Sequence, residues 1–560
     1  MSGDRAGAVL QGVAASPGLA VGPVARLGTP PVLPAAEPAV SDGAAEGERA
    51  LAALGRVADE FEARSAAVAG TAIGREASDV LAATALMARD PAIADSVTAL
   101  TGAGRAAAWA VTEAFGEYRA LLLDAGGYLA ERVSDLDDVR ARAVALLLGV
   151  PMPGVPRLPH PYVLVAEDLA PADTATLDPE RVLAFVTTRG GPTSHSAILA
   201  KSLGIPAVVG CPAADLAEGV EVAVDGSAGT VTVAPDAALV AQVRERSAAR
   251  AARAAAASGP GRTADGHRVP LLANAGAAPD VLRALDQGAE GVGLLRTEFL
   301  FLDRRTAPTR AEQEDAYAAV CAALPGKRLV IRTLDAGADK PLPFATLADE
   351  PNPALGIRGW RTSWPYPDLL DTQLAAIAAA AGQGSAEVWV MAPMVATAAE
   401  AAVFARLARG HGLAKVGVMV EVPSAALHAA RLLAEVDFAS IGTNDLSQYT
   451  FAADRMCADL ADLLDPWQPA LLRLVELTAA AGAAAGKPVG VCGDAGGDPL
   501  LGVVLVGLGV SSLSMAGGAL GESRATLAEW PLERCREAAR AALSAASPAA
   551  ARAAVREVAR

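Results

Sequence analysis

The stretch KVGVMVEVPSAALHAARLLAEVDFASIGTNDL, Lys415–Leu446, decides the fold. Two short apolar runs, Lys415–Val420 and Phe438–Ile441, each stop at polar or acidic residues. Glu421 follows the first and Gly442-Thr443-Asn444-Asp445 the second, with a helical segment between the runs. The same rhythm of strand, charged residues and helix extends in both directions. Its other strands are Leu271–Asn274, Gly291–Leu295, Arg328–Ile331, Val388–Met391, Pro488–Val491 and Ser512–Met515. Eight such units predict a (β/α)8 TIM barrel over residues 263–560, and in that architecture the chemistry sits at the C-terminal ends of the strands.

Strand two runs into Arg296-Thr297-Glu298, and strand three into Arg332-Thr333-Leu334-Asp335 with Lys340 just beyond. Asn352–Arg358 follow in the next loop. Strand five ends at Glu421, strand six at Asn444-Asp445 with Arg455 further on, and strand seven at Cys492-Gly493-Asp494. Arg296, Arg332, Arg358 and Arg455 form a candidate guanidinium basket for a phosphate and a carboxylate, because the Arg fork matches both oxyanions. Glu421 and Asp445 offer hard oxygen ligands from adjacent strands, a set that suits Mg²⁺. Any one of these residues would pass as an ordinary ion pair. So many at successive strand ends argue for a site. Cys492 reads two ways, as buried packing or as a thiol kept protonated beside an anionic substrate.

Upstream of the barrel the pattern differs. A Gly/Pro-punctuated apolar stretch, Gly12–Val24, precedes a long block of helical spacing. Short β-branched runs then begin at Tyr162 and continue through Thr230–Val233, with a hairpin signal at Asp225-Gly226. This predicts a small α/β swivel-like domain with an all-helical insertion. Residues 237–258 are almost entirely Ala, Arg and Glu and end at Gly259-Pro260-Gly261, which reads as a linker helix with a hinge.

Composition sets outer limits. The 560 residues are 52% apolar and 20% charged, enough for several cored domains. A net charge of −16 argues against nucleic acid, whose phosphates demand clustered Lys and Arg. No secretory leader and no bilayer-spanning run stands out. The five scattered cysteines form no C-x-x-C pair, which fits a reducing compartment, and a cytoplasmic location is expected.

The most specific short segment is Arg189-Gly190-Gly191-Pro192-Thr193-Ser194-His195-Ser196, leading into an apolar helix. Thr193 or Ser194 is placed to N-cap that helix. His195 then sits in its first turn, where backbone N–H groups and the helix dipole favour an added phosphate. Imidazole is a competent nucleophile near neutral pH. On its own the segment reads equally well as a capped helix with an exposed histidine.

Gly190–Gly210, Ile441–Arg455 (IGTNDLSQYTFAADR), Gly293–Arg304 (GLLRTEFLFLDR), the NPALGIR and VMVEVPSAA segments and the Val491–Asp494 strand end together resemble the phosphoenolpyruvate-utilising enzymes. Within them the chain is most similar to the Enzyme I family of the bacterial sugar phosphotransferase system, over nearly its whole length. The resemblance implies transfer of a phosphoryl group from phosphoenolpyruvate (PEP) to His195 and then to the phosphocarrier protein HPr. It implies that Thr174 orients His195 and that Arg296 and Arg332 bind the phosphate. Arg358, Lys340, Asn444 and Arg455 are implied as further contacts, Glu421 and Asp445 as Mg²⁺ ligands, and Cys492 as the acid that protonates the departing enolate. The implied domains are a phosphohistidine α/β domain (residues 1–30 plus 146–236), a helical HPr-binding subdomain (31–145), a linker helix and hinge (237–262), and a PEP-binding barrel (263–560) that forms a homodimer. Pro192, Val422 and Asp494 depart from the family pattern, which often has Arg, Thr and Glu there. A dikinase of the same family would need a nucleotide-binding domain, for which the chain shows no segment.

Overall fold

Parallel strands buried on both faces are largely apolar, and the eight runs of the C-terminal half follow this, with polar residues such as Asn274, Ser440 and Ser514 among them. In the computed structural model they close into a barrel in chain order. The strands are β9 (Leu271–Ala275), β10 (Gly291–Leu295), β11 (Arg328–Arg332), β12 (Glu387–Ala392), β13 (Lys415–Val420), β14 (Phe438–Ile441), β15 (Val489–Val491) and β16 (Ser512–Met515). Closure is made by β16 against β9, with Leu513 opposite Leu271. The TIM barrel expected from the sequence is therefore the observed fold. Leu294, Val330, Met391, Met419 and Phe438 fill its interior, with Cys492 among them. Described are residues 7–68, 74–125, 133–156, 158–169, 177, 181–191, 196–197, 200, 203–302, 304–336, 342–347, 350–455 and 457–560.

The N-terminal half is built on one eight-stranded sheet. Its parallel centre is β3 (Leu19–Arg26), β4 (Tyr162–Ala166), β5 (Val182–Thr187) and β6 (Ala207–Val209). On one side β7 (Glu221–Asp225), β8 (Thr230–Val233) and β1 (Val9–Gln11) add antiparallel; on the other, β2 (Val13–Ser16) adds antiparallel to β6. The apolar stretch Gly12–Val24 thus supplies one outer edge, β2, and the middle strand β3, while β1 just before it forms the other edge. Between β3 and β4 stand the helices α1 (Gly43–Val68), α2 (Gly74–Ala88), α3 (Pro91–Gly102), α4 (Ala107–Ala125) and α5 (Val133–Leu148). They share a separate core that includes Val57, Phe61, Val111, Phe115 and Val139. Helix α5 ends before Gly149, whose φ of 65° favours glycine.

The linker helix α6 (Ala237–Ala256) starts at Asp236, whose carboxylate accepts the Leu239 N–H at 2.7 Å. Its first half packs Leu239, Val240 and Val243 on Val21 and Ala223 of the sheet. Its second half pairs Arg250 with Glu522 and Arg253 with Glu529, on barrel helix Leu520–Glu529. The helix therefore bridges the two bodies, and Gly259, at φ 80°, follows its end.

Candidate active site

Several strand ends of the barrel present the side chains that the sequence singled out. Arg332 is the last residue of β11, Glu421 follows β13, and Cys492 follows β15. Helix Thr443–Phe451, directly after β14, carries Asn444, Asp445 and Tyr449. Arg332 is buried; its Nη2 donates to Glu298 at 2.7 Å and its Nη1 lies 3.2 Å from Asp335. Arg358, 4% exposed, reaches Asp335 at 3.1 Å through Nη2 and Asp445 at 2.9 Å through Nη1. Arg455 approaches the other oxygen of Asp445 at 3.7 Å. Glu298, Arg332, Asp335, Arg358, Asp445 and Arg455 thus form one row of alternating charge across the mouth.

Burial sets the electrostatics of that row. It penalises the charge on Arg358 and Arg332, but their carboxylate neighbours outweigh it and hold both pKa values above the ordinary one. Burial likewise opposes the charge on Asp335, yet Arg358 and Arg332 keep its carboxyl below the usual range. Glu421 stands outside the row. Its Oε2 accepts the Met394 N–H at 2.9 Å, and no donor reaches Oε1 among the described residues. Met394 has φ 59°, rare for a side-chain-bearing residue, and that turn aims its N–H at the carboxylate. Burial first, and then the charges of Asp445 and Asp335, push the Glu421 carboxyl up to about 8. Four buried polar atoms of the mouth have no partner among the described residues: Arg332 Nε, Arg358 Nε and Thr443 Oγ1, which can donate, and Glu298 Oε2, an acceptor. Unpaired buried donors of this kind suit an oxyanion.

A carboxylate raised by neighbouring carboxylates is one that a cation would relieve. Glu421 and Asp445 come from adjacent strands, and no group of three or more His, Cys, Asp or Glu among the described residues completes a metal cage. That donor set fits Mg²⁺, which draws its remaining ligands from water and substrate oxygens. Gly442 makes the geometry tight: a Cβ there would lie 2.7 Å from Glu421 Oε1.

Cys492 is buried at the top of the barrel's inner plug and its Sγ–H points to the Ile441 carbonyl at 3.6 Å. Burial raises its thiol to about 11, so it stays protonated at neutral pH. Arg296, just past β10, has no acidic partner among the described residues, and its charge is felt at Cys492. Asn444 Oδ1 is turned by the Asp494 N–H at 3.1 Å. The structure thus gathers Arg296, Arg332, Arg358, Asn444, Arg455, Glu421, Asp445 and Cys492 at one rim. His195, Thr174, Lys340 and Pro192 lie outside the described residues. Next to them, Ser196 Oγ donates to Asp168 at 2.6 Å and accepts the Leu169 N–H at 3.2 Å, which ties the start of the helix to the end of β4. A Cβ on Gly191, in the turn before His195, would stand 3.8 Å from the Ala461 Cβ, not far beyond Arg455. Sequence reading left out Glu298, Asp335 and Tyr449 as site residues, although the first two stand in the segments that close strands two and three.

Comparison with known proteins agrees with this geometry. Sequence models of the PEP-utilising enzymes match residues 11–132 (N-terminal), 158–229 (mobile domain) and 250–531 (PEP-binding domain). A phosphoenolpyruvate-protein phosphotransferase of Streptomyces coelicolor is 55% identical over 95% of this chain and 96% of its own. The chain belongs to the PEP-utilising enzymes. Proteins of the same name from Bacillus subtilis (44% identical, 70% of this chain and 71% of its own) and Haloferax volcanii (43%, 77% and 78%) are further relatives. In this PEP-utilising enzyme the PEP-binding match spans the whole charged row, and the mobile-domain match spans the His195 loop.

Proposed function

We propose that the chain transfers the phosphoryl group of PEP to its own His195, releases pyruvate, and passes the group to a histidine of HPr, as the first step of a sugar phosphotransferase system. The observation that carries this reading is the mouth itself. Among the described residues, Arg332 and Arg358 are fixed by Glu298, Asp335 and Asp445 yet keep unpaired buried Nε donors, and Arg296 is left without an acid. Such a site receives an anion without having to order its cations first.

Arg296 and Arg332 hold the phosphate; Arg358, Lys340, Asn444 and Arg455 add contacts to it or to the carboxylate. Glu421 and Asp445 would hold Mg²⁺, which would supply charge neutralisation to the transferred group. Guanidiniums already locked in place stabilise the charge as the group leaves the enolate oxygen, in line toward the ring nitrogen of His195. Thr174 orients that ring. Cys492, protonated at neutral pH by its burial, gives its proton to the enolate carbon and so completes pyruvate. One histidine cannot face both the mouth and HPr, so the α/β domain moves between two positions, with the linker between them. Leu86 and Leu121, 69% and 63% exposed on the helical insertion, support HPr docking there. Phe299, Leu355 and Trp364, all more than half exposed, support pairing of two chains through the barrel. No helix of the described residues is long and apolar enough to cross a membrane, and the setting proposed is the cytoplasm.

The test is incubation with Mg²⁺ and labelled PEP in the absence of ATP. An acid-labile, base-stable phosphoprotein that loses its label to added HPr supports the reading. Label that forms only with ATP, or that HPr never removes, refutes it.

A further inference from the structure

A cavity of about 960 Å³ lies away from the mouth, between the end of α6, the starts of β10 and β11, and the turn before helix Leu520–Glu529. In a chain of net charge −16, its wall is locally basic: Arg268, Lys327, Arg328 and Arg524 against Asp286 and Glu290. Glu290 is already committed, to Arg268 and to the N–H groups of Gly261 and Leu271. Arg328 is stacked over Trp389 at 4.1 Å. That leaves Arg524 and Lys327. Arg524 is only 5% exposed, donates Nη2 to the Gly288 carbonyl, and has a buried Nε without a partner. No carboxylate pairs with it among the described residues. Burial draws its pKa down and Glu290 only partly restores it. A buried guanidinium with no directly paired carboxylate is a place where a bound anion is favoured. Beside it, Gly517-Gly518 form a bare turn into a ten-residue helix, the backbone setting that phosphates favour.

We propose that this cavity is a second anion site, for a small phosphate-bearing molecule held by Arg524, Lys327 and the Gly517-Gly518 turn. Three parts of the chain meet there. The end of the linker forms one wall and the barrel another, and a Cβ on Gly518 would stand only 3.3 Å from Gly204 of the α/β domain. A bound phosphate would therefore hold the end of the linker against the barrel, next to the point where Gly518 meets Gly204. This inference stands apart from the catalytic reading.

The probe is inorganic phosphate, and the readout is amide hydrogen exchange of the full chain. The Arg296→Ala background suppresses binding at the mouth. Phosphate should slow exchange at least threefold in residues 254–260, 285–290 and 517–524. That protection should vanish in Lys327→Gln and in Arg524→Met, each made in the same background. Arg524→Met, which removes an uncompensated buried charge, should unfold no more easily than its parent in phosphate-free buffer. No protection of these segments, or protection unchanged in Lys327→Gln, overturns the proposal.

Discussion

Replacing Glu421 by Gln keeps the shape of the side chain and removes the charge that its surroundings resist. In the fold that carboxyl is pushed up to about 8, by burial and by Asp445 and Asp335. A glutamate in the unfolded chain ionises near 4.3. At about 1.4 kcal/mol per pH unit, keeping Glu421 ionised costs the metal-free fold on the order of 5 kcal/mol above pH 8. Because the folded pKa is the higher one, the stability linked to this group is fully present below about pH 4 and is lost as pH rises through 8. Glu421→Gln has no such slope. In EDTA the variant should match the parent near pH 5 and exceed it increasingly up to pH 8.5, by several kcal/mol. Five of the six tryptophans lie in the barrel region, Trp109 being the exception, so urea unfolding followed by tryptophan fluorescence reports the relevant transition. Added Mg²⁺ should then stabilise the parent at pH 8.5 and leave the variant nearly unmoved. A stability difference that does not change with pH, or equal responses to Mg²⁺, would refute both the electrostatic account of Glu421 and its place as a ligand.

Other consequences follow from the same geometry. Asp335→Ala removes the carboxylate that Arg332 and Arg358 share, leaving Arg332 with Glu298 and Arg358 with Asp445, and should cost about 3–5 kcal/mol in barrel unfolding. Gly442→Ala sets a Cβ against Glu421, and calorimetric Mg²⁺ affinity should fall about 10–100-fold with the fold retained. Cys492, with its thiol near 11, should resist iodoacetamide at pH 7 in the folded enzyme. Cys492→Ala should lower kcat for pyruvate release about 10²–10⁴-fold and leave the KM for PEP within a few-fold.

Much of the barrel was legible because its strands obey a local rule. Phe438–Ile441 and Lys415–Val420 are mostly apolar and stop before polar or acidic residues, and the structure keeps both bounds. The order of the N-terminal sheet was not legible. Gly12–Val24 reads as a single apolar stretch, yet its first strand β2 and the strand β1 just before it pair with residues about two hundred positions away, at opposite edges. Register of that kind depends on partners that no local pattern names. The same holds in the site. Sequence placed Arg332 and Arg358 on the rim by their position after strands, but which acids hold them is a matter of three-dimensional approach. Asp335, between both guanidiniums, shows its role only there. Nor does residue type reveal that Glu421 is crowded and Asp335 compensated. That difference rests on which charges the fold brings within reach of each.

The central claim is that the group passes through the chain's own His195, and the most direct measurement is rapid-mix pyruvate release in the absence of HPr. The account predicts a burst of about one pyruvate per chain, then arrest, with turnover resuming when HPr is added and no burst in His195→Ala. Continuous pyruvate release without an acceptor, or an undiminished burst in His195→Ala, would contradict it.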